Sequence, residues 1–597
     1  MDRSYRPSDS YLSSTEALPH PYPTNLMRSL FRNMAQLFRA HADLKMLLLM
    51  AGLLVLPALA SASDIYVAQN AVGSNSGADC ADAHAIAWAN SAANWGSAAG
   101  QIGPGTTLHL CGTIAVPGGS AGLVVQGSGT SASPVTIKFE ANAVLQSAYF
   151  SGSNFDGWCT SNCGGGIQVD GVNYIIVDGG TNGIIQNTSN GTNLANHQDF
   201  SDGIHIAGNN VIVRNLTIQN IYANAGSSSS ASDANGLHTA DIRVDGGSTN
   251  VMICNNTLNN ARAGITSDTS GGSAGGSGTC QSNAFTTGVN YYNNTLTDHA
   301  WQMGINGGGT VNVYNNDIGT NANWQYPSSS YHTDGLIVFG DSSPITAYIY
   351  GNYFHGDLGL GSPTAEIYCT YGGTGSGSIC NIFNNVIVGT GTSATNAVGI
   401  WVGASISSSP IGPIYISNNT IVGFSMSIFP YGAVNGGLVI ENNIGVQNGN
   451  GYFVVENNNT FASVLTACDH NNWYGGRGLP FSDPSGYYNF STWQSAGYDG
   501  NGSSGNPNLD GTYHLQSGSS AIGLAINPTA LSGLASMISA LDFAPLDDGE
   551  PSIVGVNGTS DGIVRTGSKW DGGAYPSSSA TAAGPPAPHG LAAVVVN

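Results

Sequence analysis

The chain of 597 residues carries 35 acidic and 13 basic side chains, a formal net charge of −22, and only 8% of it is Asp, Glu, Lys or Arg. So few charges exclude an architecture of surface helices, whose outer faces need them, and the acidic balance repels nucleic acid. A hydrophobic content of 41% with 84 glycines excludes a disordered chain and favours short strands joined by tight turns.

Residues 1–62 read as an amino-terminal extension and an export signal. Lys45 precedes the apolar run Met46–Ala60, and the small residues around Ala58, Ala60 and Ala62 follow, the order of a cleavable signal. The run is about 15 residues, short of the ~20 of a membrane span, so the mature chain is expected to lack one, with an uncleaved anchor as the alternative. The stretch before Met27 is unusual ahead of a signal, which makes Met27 an alternative start to Met1. The expected location is extracellular, secreted or on the cell surface, with the periplasm as alternative. Cleavage removes 4 of the 35 acidic and 6 of the 13 basic residues, leaving a net charge of −24 that disfavours a strongly anionic polysaccharide. Neighbours in sequence suggest the disulfides Cys80–Cys111, Cys159–Cys163, Cys254–Cys280 and Cys369–Cys380, with Cys468 free, although sequence does not fix connectivity. No cysteine or histidine cluster points to zinc.

Residues 63–120 are expected to form an amino-terminal cap, with a short helix within 83–99. Across 121–475 one pattern recurs: an alternating apolar strand, an Asn-Asn pair or variant, and a second short strand. Examples are VMICNNTL (251–258), VNVYNNDI (311–318), IYISNNTI (414–421) and LVIENNIG (438–445). Asn tolerates the left-handed backbone of a sharp turn and can stack into a hydrogen-bonded ladder. Another strand repeats in step, its inward residue being Ile167, Ile204, Leu237, Ile265, Ile305, Leu336, Ile367, Ile400 and Ile428, usually preceded by Gly. Two registers in step at uneven intervals predict an all-β, right-handed parallel β-helix of about ten to eleven coils. Asn-rich loops of a sandwich would not explain apolar alternation on both sides of each pair. Residues 476–575 are expected to cap the other end, with a helix at Leu531–Leu541, and 576–597 form a Pro/Ala/Ser linker and tail.

Asp202-Gly203-Ile204-His205 followed by NVIVRNLTI, and His332-Thr333-Asp334-Gly335-Leu336 followed by AYIYGNYF, resemble the pectin-lyase-like superfamily of right-handed β-helices. The opening DIYVAQNAVGSNSG (64–77), PVTIKFE (134–140) and GSKWDGGAY (567–575) resemble the cap, first coil and closing motif of its bacterial secreted members. The resemblance covers roughly 64–575 and implies fold and export, but no single activity, since this superfamily holds lyases, hydrolases, esterases, epimerases and adhesins. The polygalacturonase motifs are missing: the one Asp-Asp, Asp547-Asp548, lies in the cap, and Gly-His-Gly and Arg-Ile-Lys are absent. The Arg-rich motifs and calcium carboxylates of pectate lyases are not found either.

Neighbours of an inward residue point outward in a strand. The following outward line then reads Gln168, His205, His238, Thr266, Asn306, Ile337, Tyr368, Trp401 and Phe429, and the preceding line is nearly all Gly, broken by Glu366. Glu366 and Asp334 on adjacent coils are the candidate acid–base carboxylates, at a spacing that suits either glycosidase geometry. His332 is a further acid or base, and Tyr368 and Trp401 are candidate sugar platforms. Asp202 and Asp334 also fit turn carboxylates that bind backbone amides, and Trp401 also fits packing beneath a loop. A second candidate groups His205 and His238 with Asp202, Asp241 and Arg243, a base-and-cation set suited to a lyase; stacked surface histidines are the alternative. Arg262 is a further candidate for the lyase's cation, His299 and Trp301 would line the groove between the two candidates, and Asn306 on the outward line would join them in binding substrate.

The expected function is a secreted glycosidase or lyase acting on an extracellular polysaccharide in a groove on the outward strand face. The alternative is a non-catalytic glycan-binding adhesin or a structural surface β-helix. No cofactor is required and no metal-ligating residue is assigned; calcium is compatible without being indicated. Oligomeric state is not legible.

Overall fold

The computed structural model describes residues 63–152, 163–190, 200–222, 239–270, 280–283, 285, 288–321, 324, 333–339, 344–359, 365–370, 378–391, 397–403, 412–431, 437–456, 465–527, 569–575 and 577. The chain winds as a parallel β-helix. Each coil contributes a strand to each of three parallel tracks. One track runs through Ile167–Asp170, Ser201–Ala207, Thr239–Ser248, Ala263–Ser270, the start of Trp301–Tyr314, Asp334–Val338, Ala365–Cys369, Val398–Val402, Met426–Pro430 and Tyr452–Val455. The other two flank the Asn turns, as in Val251–Cys254 with Thr257–Asn259 and Ile414–Ser417 with Thr420–Val422.

Inward side chains stack like on like. Ile204 pairs with Ile167 and Ile242, Met303 with Ile265 and Leu336, and Ile400 with Ile367 and Ile428. All are fully buried in one continuous core, as expected of parallel strands enclosed by their own winding.

The Asn pairs divide two tasks. The first residue takes the left-handed conformation, with φ between 54° and 60° at Asn215, Asn255, Asn293, Asn315, Asn384, Asn418 and Asn442. The second turns inward and builds a buried ladder from Asn256 through Asn294, Asn316, Asn352, Asn385, Asn419 and Asn443 to Asn471. Asn385 shows the unit. Its Oδ1 accepts the backbone N–H and side-chain amide of Asn352 at 3.1 and 3.0 Å, while its Nδ2 donates to Ile349 O and Asn419 Oδ1, both at 2.9 Å. The ladder ends on Asp499, whose Oδ1 accepts from Asn471 Nδ2 at 2.7 Å and whose Oδ2 accepts from the indoles of Trp473 and Trp493.

Both ends are closed. Asp64–Ala68 stacks on Thr107–Leu110, with the Cys80–Cys111 disulfide and the short helix Ile86–Ala89 beside them. At the other end the track turns antiparallel through Phe481–Asp483 and Gly486–Tyr488, and the helix Phe490–Ser495 stacks Trp493 on Phe481 at 5.0 Å. The GSKWDGGAY segment folds back along the coils: Trp570 packs with Tyr348 and Phe383, and Ala574 N–H donates to Thr420 Oγ1. Cys254–Cys280 and Cys369–Cys380 pair, Cys163 is disulfide-bonded, and Cys468 is free and buried. Cys159 and the expected helix at 531–541 lie outside the described residues. Among the described residues no helix is long and apolar enough to cross a membrane.

Replacing Asn385 with Ala leaves Asn352 N–H and Asn419 Oδ1 short of partners in a dry interior, which costs about 3 kcal/mol. Chemical denaturation of the variant checks this; a loss under about 1 kcal/mol would mean that the ladder is not a major support of the coil stack.

Candidate active site

The outward face of the first track differs from the expected line at two coils. His205 is flanked by Gln168 and Arg243, not His238, and Thr266 by Arg243 and Gly304, not Asn306. The inward partners in register are correspondingly Ile242 and Met303; Ile305 is inward as expected, fully buried in the core, but pairs with Ser267 and Val338. Leu237, His238 and His332 lie outside the described residues. Asn306 sits two residues beyond Gly304, its Oδ1 bound to Gly307 N–H at 2.8 Å. From Ile337 onward the line runs as expected through Tyr368, Trp401 and Phe429.

The larger correction concerns Glu366. Ala365 and Tyr368, three residues apart, both belong to the outer apolar cluster, whereas Ile367 is core. Alternation therefore breaks at the corner where the chain enters the track, and two successive residues turn inward. A Cβ added to Gly335 would stand 2.7 Å from Glu366 Oε2 and 3.0 Å from Phe354 of the core. The glycines that precede the inward residues are thus not outward gaps but interior space, filled by larger side chains of adjacent coils. Glu366 occupies that space fully buried, with no hydrogen-bond partner on either carboxylate oxygen. Burial above all, then the charges of Asp334 and Asp357, raises its pKa well above the ordinary carboxylate value. It is a carboxyl of the core, and burial favours its neutral form.

Asp241 and His299 are interior as well. His299 Nε2 lies 2.8 Å from Asp241 Oδ2 and its Nδ1 2.5 Å from Gln302 Oε1, while Gln302 Nε2 donates to Gly319 O and Thr320 O. Burial raises Asp241 to about 6 against the opposing pull of His299. Asp334, fully buried, accepts the Ala365 N–H at 3.2 Å, the role of a carboxylate at a strand entrance.

The groups that do gather on the outward face are His205, Asp170, Asp245, Asp202 and Arg243. His205 Nδ1 lies 2.9 Å from Asp170 Oδ1 and its Nε2 3.0 Å from Asp245 Oδ2. Arg243 Nε donates to both Asp202 oxygens at 3.1 and 3.2 Å. Burial alone would lower the His205 pKa, but the two carboxylate hydrogen bonds and the fields of Asp202 and Asp245 lift it to about 9. The imidazole is therefore a cation and a proton donor at neutral pH, not a base. Cys163, Asp170 and His205 bring three ligand-type atoms within 4.8 Å of one another, but the sulfur is bound in a disulfide and lacks the thiolate a metal would take. Asp170 and Asp245 are absent from the sequence reading. Each stands two residues beyond an outward position, Gln168 and Arg243, so the correct register would have exposed both.

Further along the same face lies an aromatic belt. Trp301 packs under the Arg262 guanidinium at 4.3 Å and beside Phe339 at 5.5 Å. Tyr368, Trp401 and Phe429 follow at 5.1 and 4.9 Å, and Tyr431 joins Trp401 edge-on at 6.0 Å. Tyr368 and Phe429 are buried, and Trp401 and Tyr431 are partly exposed.

No protein-family model matches the chain, and no curated protein matches its sequence. Among solved structures it is similar to pectate lyase Pel9A, at 14% identity and a TM-score of 0.40 over 79% of this chain and 93% of that one. It is also similar to the GH136 lacto-N-biosidase from Eubacterium ramulus, at 11% identity and a TM-score of 0.34, covering 76% and 71% of the two chains. A third is the PL6 family polysaccharide lyase from Pseudopedobacter saltans, at 9% identity and a TM-score of 0.33, covering 67% and 87%.

Because the His205 pKa is raised from the ~6.5 of an unfolded chain, its stabilisation is complete below pH 6.5 and is lost as pH rises through about 9. Melting temperature across pH 6.5–9 should fall, and His205→Gln should flatten that fall; an unchanged slope in the variant would contradict the assignment.

Proposed function

We propose that the protein is exported and acts on an extracellular polysaccharide laid along the outward face of this track. The observation that carries the reading is the continuity of one face, from the charged cluster at His205 and Arg243 to the aromatic belt at Trp401. Aromatic faces hold sugar rings through their apolar CH surfaces. Strands about 4.8 Å apart repeat those faces along the axis, as a linear polymer requires.

In this reading His205 is the acid. Held as an imidazolium between Asp170 and Asp245, it exchanges one carboxylate for the glycosidic oxygen and protonates it as the C1–O bond breaks, while the released carboxylate takes the proton of the water that adds to C1. Hydrolysis is preferred over elimination for two reasons. A lyase needs an unprotonated base at the sugar, which His205 as an imidazolium does not supply, and the negative chain disfavours the uronate-rich polymers that lyases cleave. A second reading, glycan binding without turnover, is supported by the closed charge pairing of the cluster, in which His205 and Arg243 already meet their carboxylates.

The test incubates the protein with a panel of neutral and lightly charged polysaccharides, following new reducing ends and pull-down on insoluble glycans. Trp401→Ala should weaken binding at least about fivefold, and His205→Gln should abolish turnover while sparing binding. Glu366→Gln should change neither, because that side chain faces the core. Binding without reducing ends in the parent protein would establish the second reading. Loss of turnover in Glu366→Gln would overturn the placement of the active groups.

A further inference from the structure

The outward face has a buried end and an open one. The His205 cluster is buried, whereas the apolar belt continues past Trp401, Met426 and Tyr431 to Tyr452, the first residue of the strand Tyr452–Val455. Beyond Tyr452 the surface opens. Arg477, exposed, lays its guanidinium over the Tyr452 ring at 4.4 Å and donates to the Tyr452 hydroxyl. Tyr487 stands 6.2 Å from Tyr452, ring centre to ring centre, and is 58% exposed, the most exposed large apolar side chain among the described residues.

Arg477 differs from the other arginines among the described residues. Arg214 and Arg243 are spent on Asp178 and Asp202, and Arg262 on the Trp301 ring. Arg477 has no carboxylate partner among the described residues; Asp483, in the neighbouring strand, is held by the hydroxyls of Tyr488 and Tyr498. One of its N–H groups serves Tyr452, leaving most of a planar fork suited to two oxygens of a carboxylate or sulfate. An exposed cation retained in a chain of net charge −22 acts locally, since the Debye length is about 8 Å at physiological salt.

We infer that Arg477, Tyr452 and Tyr487 form a sugar subsite at the open end of the face, specific for a unit bearing an anionic group. Tyr487 supplies the ring platform and Arg477 the anion contact. Resting on the glycan-binding reading, this names the polymer as mainly neutral with scattered acidic groups: the overall charge disfavours a densely anionic chain, while this position selects one acidic unit.

The test measures binding of the full chain, by calorimetry, to a neutral hexasaccharide and to the same hexasaccharide carrying one uronate or one sulfate. The charged forms should bind about tenfold more tightly than the neutral one. Arg477→Met should erase that advantage without weakening the neutral ligand, and Tyr487→Ala should weaken all three. A stronger gain for uronate or for sulfate identifies the group selected. No charge preference in the parent protein, or a preference that survives Arg477→Met, overturns the subsite. Neutral binding that is lost in Trp401→Ala would then still leave the belt reading standing, whereas no binding of any hexasaccharide overturns both.

Discussion

The structure depends on one constraint: every coil must stop at the same register as the coil before it. The Asn ladder imposes this. Each buried Asn is bound by both its backbone amide and its side-chain amide to the Asn of the next coil, so a one-residue slip would leave several polar groups unpaired in the core. Once register is fixed at that turn, the inward isoleucines align on the far track, and the residues between them form lines on the outer surface. The face that carries His205 and the aromatic belt is thus a by-product of a turn on another side of the coil.

The same constraint explains what the sequence could disclose. Asn pairs between alternating strands mark the turn directly, so the β-helix and its core were legible. So was the outward line at Ile337, Tyr368, Trp401 and Phe429. The reading failed at the Leu237-His238 and Ile305-Asn306 coils because it keyed on the Gly-apolar pair, whereas the residues in register, Ile242 and Met303, follow Asp241 and Gln302 in strands that start at Thr239 and Trp301. It failed differently at Glu366. Strict alternation was assumed through a corner at which two consecutive residues turn inward, and a core carboxyl was taken for a surface one.

The ionisable groups separate by face. Inside, burial raises the pKa of Glu366 and Asp241: Glu366 has no hydrogen-bond partner among the described residues, and Asp241 is bound to His299, whose other ring nitrogen meets Gln302. On the outward face the carboxylates gather around the scarce cations, two on His205 and one on Arg243. In a chain with so few basic residues, the placement of each one carries information. Those at the buried end of the face build the charged cluster, Arg262 braces the belt, and Arg477 lies exposed beside two tyrosines.

The most direct measurement of the central claim is a crystal structure of the protein with a bound oligosaccharide of five or more units. The account predicts sugar rings running parallel to the helix axis along the outward face, one of them against Trp401 and Tyr431 and the chain leading toward Tyr487. Sugar bound on another face, or across the Asn turns, would contradict it.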